Sequence, residues 1–195
     1  MAGRFIVFEG IDGAGKSTLI EGISEILTSR GEDVIITAEP TDGPIGSVIR
    51  AGEIKNISQN AEALLFTADR AVHTRQMLRW KKSGKTVLCD RYYASTVAYQ
   101  AANLGGTESE KEWLKEINRP VVTEPDITFL LDIDPEKSMR RVNNRGDASK
   151  FEKIEYLRKV RSNYLELARE KGFKIIDASR TGEEVLKEVI TIIGE

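Results

Sequence analysis

Gly10-Ile11-Asp12-Gly13-Ala14-Gly15-Lys16-Ser17 is the stretch on which the reading of this chain turns. It satisfies G-x-x-x-x-G-K-[ST] at every constrained position. Residues 4–9 before it, Arg-Phe-Ile-Val-Phe-Glu, read as a short buried strand. From Lys16 onward Leu19, Ile20, Ile23, Ile26 and Leu27 recur at helical spacing. Strand, glycine loop and helix N-terminus in this order aim successive backbone N–H groups at one anionic point. Lys16 adds a point charge for the outer phosphates of a nucleotide, and the Ser17 hydroxyl is a hard oxygen ligand for Mg²⁺.

The same two-residue ending recurs at Ser83-Gly84-Lys85-Thr86, but Arg79 stands where the first glycine is required. A helix-like stretch precedes it and a strand follows, so Gly84 reads as a helix end. Outward from the loop, apolar β-branched runs recur at 33–38, 86–90, 126–133 and 173–177. Each is short and continuously apolar, as in parallel strands covered on both faces. Amphipathic stretches lie between: 60–83 (Ala63, Leu64, Ala68, Ala71, Leu78), 150–171 (Phe151, Ile154, Leu157, Val160, Tyr164, Ala168) and 182–193 (Val185, Leu186, Val189, Ile190, Ile193). Residues 103–111 and 118–125, with Gly105, Gly106, Pro120 and Pro125, read as surface loops. The alternation implies a doubly wound α/β parallel sheet of about five strands with right-handed crossovers, in one domain.

Composition narrows the chemistry. With 195 residues, 40% of them apolar, the chain can bury a sizeable core. Its net charge of −2 offers no global field for nucleic acid or an anionic membrane, so any phosphate-binding charge is local. Cys89 is the only cysteine and His73 the only histidine, which excludes an internal disulfide and thiol or histidine metal clusters. No run reaches the length of a membrane span and the Met-Ala-Gly-Arg opening is not a signal peptide, so a cytoplasmic location is expected.

A phosphate loop alone does not separate kinases from GTPases, motors or regulators. Ligands of open α/β sheets sit beyond the C-terminal strand ends, and those ends carry Asp12, Glu39-Pro40-Thr41-Asp42, Asp90-Arg91-Tyr92, Asp134-Pro135-Glu136 and Asp177-Ala178-Ser179. Carboxylates and one arginine converge on the phosphate site. Arg91 can grip a second phosphate bidentately, and Asp90 is the natural Mg²⁺ or water-shell partner of Ser17. The bland reading of Asp90-Arg91, a surface ion pair, is weakened by the apolar run before it. Arg140, Arg141, Arg145 and Lys150 surround Asn143, Asn144 and Gly146, reading either as a basic lid or as a solvated helix face.

Phe8-Glu9-Gly10-Ile11-Asp12-Gly13-Ala14-Gly15-Lys16-Ser17, Glu39-Pro40, Leu65-Phe66-Thr67-Ala68-Asp69-Arg70, Asp90-Arg91-Tyr92 with Ser95 and Ala98-Tyr99-Gln100, and Leu131-Asp132-Ile133-Asp134-Pro135-Glu136 follow in that order. In this the chain resembles thymidylate kinases over nearly its whole length. The resemblance implies a single P-loop kinase domain, 1–195, with a lid at about 136–150. It implies transfer of the ATP γ-phosphoryl group to dTMP with Mg²⁺, and a homodimer with the 44–83 and 94–117 helices as interface candidates. Gly10 to Thr18 would hold ATP, with Arg141 against its adenine. Lys16, Asp12, Arg91 and Arg145 would be catalytic, and Ser17 and Asp90 would hold the metal. On the acceptor side Phe66 would stack on thymine, Arg70 would bond its exocyclic oxygen and Gln100 would lie along the base edge. Tyr99 would crowd the 2′ position, Arg91 with Ser95 and nearby Arg50 would serve the phosphate, and Asp12 and Glu39 would lie near the 3′-hydroxyl and the metal's water shell.

Two departures stand out. Many relatives have an arginine just before Glu-Pro, where this chain has Ala38, and some carry a basic residue in the loop where it has Gly13 and Ala14. Arg145 of the lid would then supply the missing cation. A kinase for dUMP, UMP or CMP and a non-catalytic nucleotide-binding regulator are the competing readings. A GTP-driven switch would need an Asn-Lys-x-Asp segment to read guanine, and this chain has none.

Overall fold

The computed structural model describes residues 3–52, 56–142 and 150–194. Five parallel strands form one sheet: β1 (Phe5–Glu9), β2 (Val34–Ala38), β3 (Thr86–Asp90), β4 (Ile127–Asp132) and β5 (Lys174–Asp177), in the order β2-β3-β1-β4-β5. Each strand begins and ends within one residue of an expected run. Between them run α1 (Lys16–Ser29), α2 (Pro44–Ala51), α3 (Gln59–Lys82), α4 (Tyr93–Leu104), α5 (Glu108–Asn118), α6 (Pro135–Val142), α7 (Lys150–Lys171) and α8 (Gly182–Gly194).

β1 lies at the centre and is buried along its whole length. Phe8 stacks on Phe129 of β4, with ring centres 5.4 Å apart, and Phe5 meets the Tyr92 ring edge-on at 5.2 Å. Each such ring contributes about 1.5–3 kcal/mol by leaving water. α1 and α8 pack together on one face of the sheet, while α3, α4 and α7 form the layer against the other. The chain leaves β1 toward β2 on one side and β3 toward β4 on the other. That reversal opens a crevice at the C-terminal ends of β1 and β3, where the glycine loop and Asp90-Arg91 lie.

Two expectations are corrected. Residues 103–111 are not all loop: Leu104 closes α4, and α5 opens at Glu108 behind a capping box in which Thr107 and Glu110 satisfy each other's backbone N–H groups. The apolar face expected for 60–83 is also only partly inward: Ala63 is buried, with Met77, but the larger apolar side chains are not. Leu64 and Leu78 are 49% and 44% exposed and Val72 58%, whereas Asp69, Arg70, His73 and Thr74 are buried. Charges this deep are tolerated only when paired, and Glu39, Thr41, Thr96 and Asn118 supply the partners. α3 is thus polar inward and partly apolar outward.

Candidate active site

The loop between β1 and α1 is shaped by its glycines. Gly10 has φ 140°, and a Cβ there would stand 2.6 Å from the Leu131 carbonyl oxygen. Gly13 has φ 78°, and its Cβ would stand 2.7 Å from the Ser138 carbonyl oxygen and 2.8 Å from Val142 Cγ2 of α6. Ser138 also donates its hydroxyl proton to the Asp12 carbonyl, so α6 clamps the loop from outside. Among the described residues no side chain caps α1. Its first-turn N–H groups therefore face the loop's mouth, where the helix end favours an anion.

Lys16 is buried beside this mouth. Its ammonium donates to the carbonyls of Gly10 (3.1 Å) and Ile11 (3.4 Å) and lies 3.9 Å from Asp90 Oδ1. Burial, reinforced by the Arg91 cation, lowers its pKa to about 8 against the pull of Asp90, Asp12 and Glu9. Ser17 Oγ donates to Asp90 Oδ2 at 3.2 Å, and among the described residues the buried Asp90 Oδ1 has no hydrogen-bond partner.

A cavity of about 330 Å³ opens on one side of the loop. Asp12, Arg91, Ser95 and Tyr99 wall it near the phosphate mouth, and Phe66, Arg70, Thr96 and Gln100 line it further out. Arg91 follows β3 with φ 69°, an unusual conformation for a residue with a Cβ. Its Nη2 donates to Asp12 Oδ1 at 2.7 Å, and its guanidinium carbon lies 5.0 Å from the centre of the Tyr99 ring. Arg70, only 1% exposed, donates from Nη2 to Glu39 Oε2 (2.6 Å) and Thr96 Oγ1 (3.0 Å) and from Nη1 to Asn118 Oδ1. His73 joins the second Glu39 oxygen at 2.9 Å and Thr37 at 2.8 Å. Among the described residues, Arg70 Nε and Gln100 Oε1 are buried without a hydrogen-bond partner.

A second cavity of about 600 Å³ opens on the other side of the same loop. Ala14, Gly15 and Thr18 form one wall, and Arg141, Ala178 and Arg180 stand among the others. The phosphate loop therefore separates two nucleotide-sized recesses, the layout needed by an enzyme that passes a phosphoryl group between two bound nucleotides. A family model described as Thymidylate kinase matches residues 8–189. The chain belongs to the thymidylate kinase family.

Proteins named "Probable thymidylate kinase" from Thermococcus kodakarensis, Methanosarcina mazei and Pyrococcus abyssi are 45%, 43% and 42% identical to it. The alignments cover 97%, 100% and 99% of this chain and 96%, 97% and 97% of those proteins. Against the thymidylate kinase pattern, the structure brings Asp12, Phe66, Arg70, Arg91, Ser95, Tyr99 and Gln100 to one cavity. Glu39 lines it too, but both its oxygens are engaged by Arg70 and His73, so it acts on its neighbours rather than as a free carboxylate. Arg50 is not among the lining residues; it pairs with Asp42 and donates to the Pro40 carbonyl at 3.0 Å. Ala38, at the end of β2, is exposed. Arg145 lies outside the described residues.

Sequence reasoning missed Thr96 and Tyr156 as wall residues of the smaller recess and Arg180 as one of the larger. Thr96 was findable, because it lies one helical turn before Gln100 and shares its face. Tyr156 comes from α7 and has no local signal pointing to the cavity.

Proposed function

We propose that the protein transfers the γ-phosphoryl group of ATP to dTMP, giving dTDP and ADP. The observation that carries this reading is that two residues lining the smaller cavity, Arg70 and Gln100, each keep one buried polar atom without a hydrogen-bond partner among the described residues. Arg70 Nε is a donor and Gln100 Oε1 an acceptor. Thymine offers the complement, a carbonyl oxygen next to an N–H, while cytosine offers an amino group next to an unprotonated nitrogen. With the Phe66 face beside them, these groups suit thymine or uracil and disfavour CMP as the acceptor.

In this reading the larger recess takes the adenosine end of ATP, with Arg141 beside the base. The loop amides hold the β- and γ-phosphates, and Lys16 neutralises charge that develops as the phosphoryl group moves. Arg91 turns its Nη2 edge from Asp12 to the acceptor phosphate, and Ser95 steadies the same guanidinium. Arg50 joins the phosphate only by leaving Asp42. Tyr99 stands against the 2′ carbon, so Tyr99→Ala should raise the UMP-to-dUMP ratio of kcat/KM by about tenfold. An unchanged ratio would remove the steric role.

The residues present suit Mg²⁺. Among the described residues no three His, Cys, Asp or Glu side chains group into a metal-holding cluster. Ser17 Oγ and the free Asp90 oxygen are hard donors, and Mg²⁺ commonly relies on one or two carboxylates together with substrate phosphates. Ser17 and Asp90 would hold the ion, which when bound supplies charge neutralisation between the phosphates. We assign the lid to about 136–150, with α6 as its first part and Arg145 as its cation, within a single domain 1–195.

We also infer a homodimer through the outward face of α3. Leu64, Val72 and Leu78 leave an apolar stripe on a helix whose other side is committed to the cavity. Light scattering should give twice the 21.8 kDa chain mass, and Val72→Glu should give the single mass. A monomeric wild type at micromolar concentration refutes this. Among the described residues no helix is long and apolar enough to cross a membrane. The central test of function is turnover of MgATP with dTMP, dUMP, UMP and CMP. The expected result is highest kcat/KM on dTMP; GTP hydrolysis with no monophosphate turnover would overturn the reading.

A further inference from the structure

Glu9 ends β1 and is fully buried, yet it lies outside both recesses. Its Oε1 accepts from the backbone N–H groups of Tyr92 (2.9 Å) and Ser95 (3.2 Å). Its Oε2 accepts from Ser95 Oγ (2.6 Å) and the Tyr164 hydroxyl (3.1 Å), and these two hydroxyls are 2.7 Å apart. Arg91 Nη1 lies over the same pair, 3.2 Å from Ser95 Oγ and 3.4 Å from the Tyr164 oxygen. A hydroxyl has one proton and two acceptor lone pairs. Ser95 gives its proton to the carboxylate and Tyr164 shares its own between Ser95 Oγ and Glu9 Oε2, so a lone pair on each hydroxyl oxygen is left to face Arg91. The result is a directed chain from cation through two hydroxyls to a buried anion, each link polarised by the next.

Burial lifts the Glu9 carboxyl above its ordinary pKa, while the Ser95 hydroxyl, the Arg91 charge, the Tyr92 N–H and the Tyr164 hydroxyl pull it back toward ionisation. The guanidinium thus has two unlike edges. Nη1 is tied to the buried chain, whereas Nη2 faces Asp12, whose side chain is 71% exposed and readily exchanged. Tyr164 enters from α7, far along the sequence, and its ring also meets Tyr99 edge-on at 6.1 Å.

We propose that Tyr164 is a positioning residue of the acceptor site: together with Ser95 it couples Glu9 to Arg91 and fixes the edge that the guanidinium turns to the acceptor phosphate. The proposal rests on the reading of this cavity as the monophosphate site. It predicts an effect confined to the phosphate, because the hydroxyl acts only through Arg91.

Tyr164→Phe removes the hydroxyl and keeps the ring against Tyr99. Binding of dTMP and of thymidine, which lacks the phosphate, is measured by calorimetry on wild type, Tyr164→Phe, Arg91→Ala and the double variant. Loss of a hydrogen bond to a charged group should raise the dTMP Kd by about tenfold. Thymidine Kd and the KM for ATP should stay within about twofold. In the Arg91→Ala background the further change to Phe should alter dTMP binding by less than about twofold, since the coupled pair is already broken. Ser95→Ala should reproduce the pattern by the second route. Equal weakening of dTMP and thymidine, additive losses in the double variant, or an unchanged dTMP Kd each overturn the positioning role. If wild type itself fails to prefer dTMP over thymidine, the monophosphate reading falls and the proposal falls with it.

Discussion

Lys16→Ala should lower kcat on MgATP and dTMP by about 10³-fold, the scale associated with losing a preorganised charge at a transition state. The structure makes Lys16 such a charge. Its ammonium is buried and held by the Gly10 and Ile11 carbonyls, so the cation is already aimed at the loop's mouth before a nucleotide arrives. The variant should fold as well as wild type. Burial already pushes this amine toward its neutral form, so removing it relieves a desolvation cost and leaves Tm unchanged or raised. Steady-state turnover with melting on the same samples tests both halves. A kcat within about tenfold of wild type would assign phosphoryl stabilisation elsewhere, and a large fall in Tm would make Lys16 a structural residue.

The largest stability effect should come from Glu39→Gln. Glu39 is buried against Arg70 and His73, and Arg70 is itself almost wholly out of water. Replacing the carboxylate by an amide of the same shape keeps the volume but leaves a buried guanidinium without its counter-charge, a change that costs about 3–5 kcal/mol. For a chain of this size that corresponds to a fall in Tm of about 10 °C. Removing the cation as well, in Glu39→Gln/Arg70→Met, should recover most of the loss, because no charge remains to be compensated. The double variant should still bind dTMP poorly, since Arg70 lines the cavity. A single variant that melts within about 2 °C of wild type would refute the account of this pair.

Much of this was legible in the sequence because the informative residues are contiguous. The loop from Gly10 to Ser17 carries its chemistry within one turn of chain, and the five apolar runs had few conformations open to them besides parallel strands, although the edge strands β2 and β5 leave Ile36 and Ile175 largely exposed. The inward face of α3 was not legible. Periodicity assumes that apolar residues face the core, whereas Asp69, Arg70 and His73 are held inside by Thr41, Glu39, Thr96 and Asn118 from elsewhere in the chain. The engagement of Glu39 and the part of Tyr164 escaped for the same reason. Tyr164 reaches Glu9 across 155 positions of sequence, and only the closed fold brings the two hydroxyls and the carboxylate together.

The crowding at Gly13 has a consequence for how such a chain can change. A basic side chain at this position would need both a relaxed backbone and the retreat of Ser138 and Val142. No single substitution supplies both, so a route that places a cation in the loop passes through an intermediate with a displaced α6 or a strained loop. The two positions should therefore be epistatic. Gly13→Arg alone would be harmful, and it would become acceptable only after shortening of the side chain at 142 and a shift of the helix that carries it. A library that varies 13, 138 and 142 together can reach sequences that stepwise mutagenesis cannot.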